Sequence, residues 1–206
     1  MKTVTWLVFT FIFIFSAIYV FKHEKYTKRV GNLNGYCVNF SVERGQDIEF
    51  FINPQINHKK GIICIYDTHK KIIDSLITEV RAEEEINDTM LYEHGYQYKN
   101  KYIYNTKRLP SGLYFIDNTI PFIVRDCNLK NSITVVFPFA NLIAISNDGG
   151  KSFSEGNSSY GVPANKLSLH RNPQLGKETR SFFQWIDSMK FDSSINYISD
   201  LDLDEN

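Results

Sequence analysis

The sequence has few cysteines, few prolines and no excess of charge of either sign. Three cysteines in 206 residues form no CxxC pair, so neither a disulfide framework nor a structural zinc site is indicated. The 23 basic and 23 acidic side chains cancel, which argues against nucleic-acid binding because phosphate contacts need an excess of Lys and Arg. Hydrophobic residues, in contrast, make up 43% of the chain and exclude a disordered protein.

The longest uncharged run, residues 3–21, lies at the N-terminus. At about 1.5 Å per residue it nearly spans a hydrocarbon core of about 30 Å. A cleaved signal peptide would need a small residue where Phe15 stands, and a shorter apolar core. We therefore predict a retained signal anchor over residues 1–29, with one transmembrane helix and the membrane as a partner. The basic residues that follow favour a cytoplasmic body by the positive-inside rule.

Residues 30–127 have the pattern of a β-sandwich. Short β-branched and aromatic runs of strand length are separated by turn residues such as Asn53-Pro54, without long helical segments between them. A series of this kind over about one hundred residues favours two packed sheets. The predicted strands are 48–52, 61–66, 101–104, 112–116 and 121–124.

Residues 128–206 have a different pattern, which predicts an incomplete α/β segment. The run from Ile133 to Phe139 is nearly all apolar, as in a strand covered on both faces. A polar stretch follows, and then residues 178–190 have apolar side chains at helical spacing before a second strand at 195–198. This βαβ unit leaves a sheet edge uncovered. Either the chain is a fragment, or the sandwich or a partner supplies the cover.

Residues 147–152, with the sequence Asn-Asp-Gly-Gly-Lys-Ser, invite two interpretations. A phosphate-binding loop would need glycine where Ile145 stands, so nucleotide binding is not indicated. With their neighbours, as residues 146–153, these residues resemble an Asp-box, a turn in which the aspartate bonds main-chain amides and has no catalytic role. The histidines show no HExxH spacing, and there is no GxSxG elbow.

Six stretches occur in a fixed order: 109–114, 121–125, 144–152, 162–171, 183–186 and 197–203. Together they resemble the large-subunit family of N,N-dimethylformamidase over about residues 34–206. The resemblance implies an immunoglobulin-like sandwich followed by an α/β domain of the glutamine-amidotransferase type, of which this chain has the first part. It also favours an exported body, whereas the positive-inside rule favours a cytoplasmic one, so both sides of the membrane stay open.

The resemblance also implies a metal site that this chain does not complete. The known enzyme of the family hydrolyses a small amide with mononuclear iron held by two Tyr and one Glu. Here Tyr197 matches one ligand, Ile145 stands where the other Tyr is expected, and the segment with the Glu would lie past Asn206. No cofactor is therefore expected for the chain alone, and iron is expected only if a downstream segment or subunit completes the site.

The sequence leads to two functional hypotheses of different classes. The first is a membrane-anchored protein that resembles the N-terminal part of C–N amide hydrolases and is inactive alone or truncated, so enzyme activity stays open. Its candidate catalytic residues are Lys151, Arg171 and Asp200, which lie at predicted strand ends or in the loop between them, where open α/β sheets place ligands. The alternative is a non-catalytic binding module at the cell surface, with glycan or protein as its ligand.

Overall fold

In the computed structural model the described residues are 28–205 without 31–32, 55–56, 85, 131–132, 174 and 190–193. They form eleven strands and three α-helices, with short 3-10 helices between them. The strands are β1 (Lys28–Arg29), β2 (Asn34–Cys37), β3 (Ser41–Glu43), β4 (Asp47–Asn53), β5 (His58–Tyr66), β6 (Ile72–Val80), β7 (Lys101–Asn105), β8 (Gly112–Ile116), β9 (Ile120–Arg125), β10 (Ile133–Phe137) and β11 (Ile195–Ser199). The helices are α1 (Leu91–His94), α2 (Phe139–Ile145) and α3 (Lys177–Ser188).

Strands β1 to β9 form a sandwich of two sheets. The larger sheet has the order β1-β5-β8-β9-β3, with β6 paired to β5, and the smaller sheet has the order β2-β4-β7. Neighbours are antiparallel except for β1 with β5 and β3 with β9, which are parallel. Because β3 and β9 run in the same direction, their C-terminal ends lie together at one edge of the sandwich.

Burial follows the residue pattern of each strand. In β4, Ile48, Phe50 and Ile52 alternate with more exposed residues and are fully buried between the sheets. β8 and β9 are buried almost throughout, as expected of strands covered on both faces. Their second cover is the C-terminal segment, whose residues Phe137 and Phe183 belong to the same apolar cluster as the sandwich core.

The C-terminal segment consists of β10, β11 and the helices between them. The two strands pair in parallel from Ile133 with Ile195 to Phe137 with Ser199. The side of β11 away from β10 is closed by the sandwich, because the main-chain N–H of Tyr197 donates to Ser111 Oγ at 3.1 Å. The sheet therefore lies beside the sandwich with β11 inside and β10 outside.

Helix α3 is fixed both to this sheet and to the sandwich. Its buried residues are Phe183 and Ile186, which face the parallel strands. On another side of the helix, Arg180 Nη1 donates to Asn118 Oδ1 at 2.6 Å and Gln184 Nε2 donates to the carbonyl of Thr68 at 2.8 Å. Polar contacts to two turns of the sandwich thus set the position of α3.

The predicted fold class needs correction, because the described residues are mostly β-sheet with three short helices. None of the helices that the structure describes is long and apolar enough to cross a membrane. The predicted transmembrane helix over residues 3–21 lies outside the described residues. The predictions of a signal anchor and of a single-pass membrane localisation are therefore not supported.

The predicted strand at 133–139 is also too long. The chain leaves the sheet at Phe137, and Phe139 begins α2. Pro138 stands between the two elements, and proline has no main-chain N–H to continue a ladder while its fixed φ suits the start of a helix. The apolar residues after it, including Leu142 and Ile143, are buried as one face of a helix.

Candidate ligand-binding cleft

The predicted site residue Arg171 is a buried support of the loop between α2 and α3. Its side chain is fully buried, and Nη2 donates to the carbonyl oxygens of Ser146 at 2.7 Å and of Lys151 at 3.0 Å. Its Nε and Nη1 have no hydrogen-bond partner among the described residues. Burial lowers the pKa of this guanidinium. Arg171 therefore ties together the two ends of the Gly-Gly turn.

The Gly-Gly turn is held to neighbouring segments by its own aspartate. Asp148 accepts from the Tyr96 hydroxyl at 2.8 Å and from the main-chain N–H of Asn172 at 2.9 Å. Burial, and then the Asp148 charge, raise the pKa of Tyr96. Gly149 has a φ of +79°, and a Cβ there would lie 2.7 Å from the main-chain nitrogen of Tyr92, so only glycine fits. As expected of an Asp-box, the role of Asp148 is structural. Its partners are Tyr96 and Asn172 in other parts of the chain, however, and not main-chain amides of its own turn.

The other two candidate catalytic residues lie apart. Lys151 Nζ lies 5.1 Å from the centre of the Tyr92 ring, a cation–π contact. Asp200 accepts from the main-chain N–H of Ala140 at 3.1 Å and so caps the N-terminus of α2. Arg171 binds Ser146 at the other end of this helix, about 10 Å away at 1.5 Å per residue. Arg171 thus contacts Lys151 through the Lys151 main-chain carbonyl, while Asp200 lies at the opposite end of α2.

The residues present do not fit the iron site that the resemblance implies. Tyr197 is 2% exposed, and its hydroxyl donates to Asp187, which also accepts from Thr68. Burial, and then this hydrogen bond, raise the pKa of Tyr197, which disfavours the phenolate that would bind a metal. Ile145, at the end of α2, offers no ligand atom. Within the described residues, no group of three or more His, Cys, Asp or Glu side chains could hold a metal ion.

A cleft that the sequence does not indicate lies where the sandwich meets the C-terminal segment. Its volume is about 310 Å³. The walls come from the start of β3, the end of β9, the loop before Arg171 and the end of β11. The lining residues are Val38, Asn39, Phe40, Ser41, Val42, Gln46, Arg125, Leu169, Ser199, Leu201 and Asp202.

Three of the polar lining residues, Ser41, Arg125 and Asp202, suggest the chemistry of this cleft. Arg125 Nη1 lies 3.4 Å from Asp202 Oδ1, and both side chains are largely buried. Asp202 Oδ2 accepts from the main-chain N–H of Ser199 at 2.8 Å. Two buried atoms, Arg125 Nε and Ser41 Oγ, have no partner among the described residues. Buried polar groups are almost always hydrogen-bonded, so two lining residues that each carry a buried atom without a partner among the described residues make this cleft a candidate ligand site.

A second, larger concavity does not have this property. It has a volume of about 640 Å³ and lies between the end of α2 and the start of α3. None of the buried polar atoms that lack a partner in the described chain belongs to its lining, which includes Asn147, Gly176 and Thr179. The smaller cleft is therefore the better candidate for a binding site.

Comparison with known proteins adds no relative. No protein-family model matches the chain, and no curated protein and no solved structure matches it. The resemblance to the dimethylformamidase family stays a prediction, since it is neither supported nor refuted by these comparisons. The functional interpretation therefore depends on the chemistry of the cleft.

Proposed function

We propose that this chain is a non-catalytic binding module whose cleft holds one sugar residue of a glycan. The observation that carries the proposal is that Ser41 and Arg125 line one cleft and that each has a buried polar atom, Oγ and Nε, without a partner among the described residues. A buried polar atom without a hydrogen bond lowers the free energy of unfolding by about 1–3 kcal/mol. A ligand that bonds both atoms recovers this free energy on binding.

Saccharide chemistry matches the mixture of groups in the cleft. A ring hydroxyl both donates and accepts hydrogen bonds, as does Ser41, while Arg125 only donates and Asp202 only accepts. Leu169 and Leu201 offer apolar surface to the C–H groups of a sugar ring. The volume of 310 Å³ is at the lower end of the range for small-molecule sites, about 300–1,000 Å³. One sugar residue fits this volume better than a longer segment.

Binding without hydrolysis is favoured by the carboxylate count. In the described lining of the cleft, Asp202 is the one carboxylate, whereas most glycoside hydrolases use a pair. Its two oxygens are already engaged by Arg125 and Ser199. Hydrolysis of a C–N bond after completion by another segment, with Lys151, Arg171 and Asp200 as candidates, stays a prediction that no contact among the described residues favours.

The proposal is tested by titrating the full chain with neutral and acidic monosaccharides, using saturation-transfer NMR to find binders and calorimetry to measure affinity. Ser41→Ala removes a hydroxyl that has no partner among the described residues, so their hydrogen bonds are all kept. We expect this variant to bind the best sugar about tenfold more weakly, which corresponds to one hydrogen bond of about 1.4 kcal/mol.

Ser111→Ala is the matched control. Ser111 Oγ donates to Asn196 Oδ1 at 3.0 Å and accepts from the N–H of Tyr197, but the residue does not line the cleft. This variant should lose stability and keep its affinity for the sugar. The proposal is wrong if no sugar binds the wild type, or if Ser41→Ala binds as tightly as the wild type does.

A further inference from the structure

In the part of the chain that the structure describes, the outer side of β10 has no neighbouring strand. The N–H of Ile133 donates to the carbonyl of Ser194 at 2.8 Å. In a parallel ladder the main-chain groups of alternate residues face the same side. Ile133, Val135 and Phe137 therefore bond to β11, and the N–H and C=O groups of Thr134 and Val136 face outward.

An apolar stripe of α3 lies on the same side of the molecule. Phe182 and Trp185 are 49% and 55% exposed, and Met189, just after the helix, is 43% exposed. At about 100° per residue these three share a helix face opposite to Arg180 and Gln184, which bind the sandwich. Since the sandwich lies beyond β11, the stripe is directed toward the outer side of β10.

The open side of β10 and this apolar stripe form one surface, which we call the β10 edge. It consists of the main chain of Thr134 and Val136 and of the side chains of Phe182, Trp185 and Met189. Natural proteins usually protect an exposed strand edge with charge, proline or a bulge. No charged residue and no proline occurs in β10 itself, whose sequence is Ile-Thr-Val-Val-Phe.

We propose that a second copy of this chain binds the β10 edge, with its own β10 paired antiparallel to the first about a two-fold axis. An isologous interface needs a surface that is complementary to itself. Antiparallel pairing centred on Val135 places Thr134 of each copy opposite Val136 of the other. Each Thr134–Val136 pair exchanges two N–H···O=C bonds, so four hydrogen bonds form across the axis. The same rotation brings the two apolar stripes into contact on one face of the joined sheet.

The area of this surface is sufficient for a specific dimer. A whole aromatic side chain has a surface of about 150–250 Å². With the exposed fractions given above and the 40% exposure of Ile133, the exposed surface of Phe182, Trp185, Met189 and Ile133 is on the order of 400 Å² per copy. With the main chain of β10 the total from both copies reaches on the order of 1,000 Å². Specific interfaces begin at about this area.

The first test is sedimentation velocity of the full chain over a range of concentrations, compared with two charge-introducing variants. Trp185→Glu places a charge in the centre of the apolar stripe. Ile77→Glu is the matched control, because Ile77 is an apolar residue that is 63% exposed on β6 of the sandwich. We expect a dimer for the wild type and for Ile77→Glu, and an association at least about tenfold weaker for Trp185→Glu.

The second test uses a disulfide across the two-fold axis. In the proposed register the two Val135 residues form a non-hydrogen-bonded pair with Cα atoms about 4.5 Å apart, which is within the range of a disulfide. Val135→Cys, in a Cys127→Ser background that removes the exposed thiol, should oxidise to a covalent dimer. Ser75→Cys on the edge strand β6 should stay monomeric under the same conditions.

The proposal is overturned by a wild type that sediments as a monomer up to its solubility limit. It is also overturned if Trp185→Glu associates as strongly as Ile77→Glu, or if the Val135 and Ser75 cysteine variants cross-link at equal rates. Binding of a different protein to a monomeric wild type at the β10 edge would likewise count against a second copy.

Discussion

At the scale of single residues, a few buried polar atoms of the described chain have no hydrogen-bond partner, and their burial costs free energy unless a ligand supplies the bond. Ser41 and Arg125 are at the cleft, and Arg171 is beneath the Gly-Gly turn. The two cases differ in their surroundings. Arg171 already bonds two carbonyl groups and lines neither of the two concavities described above, so its role is structural. Ser41 and Arg125 line the cleft, and for this reason we propose a binding role for them and a supporting role for Arg171.

Asp117 provides a residue-scale prediction about pH. It lies in the turn between β8 and β9 with a φ of +47°, and burial raises the pKa of its carboxyl to about 6. The ordinary value is near 4, so the folded state disfavours the ionised form. Stability from this residue is therefore greatest below pH 4 and is lost as the pH rises through 6.

Asp117→Asn removes the titrating group and keeps a side chain that tolerates positive φ. We expect the variant to be more stable than the wild type at pH 7, by about 1 kcal/mol after allowance for solvent screening. The gain should shrink toward pH 4, where the aspartate is protonated in the folded state. Urea unfolding at the two pH values measures it, and an equal gain at both would show that the turn conformation alone is responsible.

At the scale of elements, α3 shows how one helix divides its surface among three neighbours. Phe183 and Ile186 face the parallel strands, Arg180 and Gln184 bind the sandwich, and Phe182 with Trp185 is exposed. Arg180 also lies over the Phe115 ring of β8, 4.0 Å from its centre. The helix thus connects the sandwich to the small sheet, and its buried face should carry most of its contribution to stability.

The adjacent residues Phe182 and Phe183 allow this to be measured within one helix. Phe183 is 1% exposed and packs on Phe137 and Tyr197, whereas Phe182 is 49% exposed. We expect Phe183→Ala to lower the free energy of unfolding by about 3–5 kcal/mol, as for other buried aromatic residues. Phe182→Ala, measured by the same urea titration at a protein concentration low enough to keep the chain monomeric, should lower it by less than about 1 kcal/mol. Similar losses for the two variants would contradict the described position of α3.

Local sequence patterns predict much of the fold and less of its boundaries. The runs that predict strands at 61–66, 101–104, 112–116 and 121–124 lie within β5, β7, β8 and β9, and helical spacing locates α3. β6 is missed although Ile72 to Val80 alternates, because the exposed face carries Ile73 and Ile77 and hides the pattern. α2 is missed because its apolar residues continue directly from an apolar strand, and only Pro138 separates the two elements.

The cleft is not predictable from local patterns, because its polar groups are distant in the sequence. Ser41, Arg125 and Asp202 come from three separate parts of the chain and meet only through the parallel pairing of β3 with β9 and the docking of β11. The candidates Lys151, Arg171, Tyr197 and Asp200 are near recognisable motifs or strand ends. Their side chains have structural roles in the described fold, either as hydrogen-bond partners or in packing.

At the scale of the whole molecule, the sandwich and the C-terminal segment share one apolar core, and the cleft lies at their junction. The sugar proposed above binds at this junction through Ser41 and Arg125, which have atoms without a partner among the described residues. The most direct test is the NMR signal of the Arg125 Nε–H in the full chain, followed while the best-binding monosaccharide is added.

The Nε–H of Arg171 is a control within the same spectrum, because it is also buried and unpartnered among the described residues but lies outside the cleft. We predict that the Arg125 signal shifts and exchanges more slowly with water as the sugar saturates the protein, while the Arg171 signal stays unchanged. An Arg125 signal that does not respond to a saturating sugar would contradict the account.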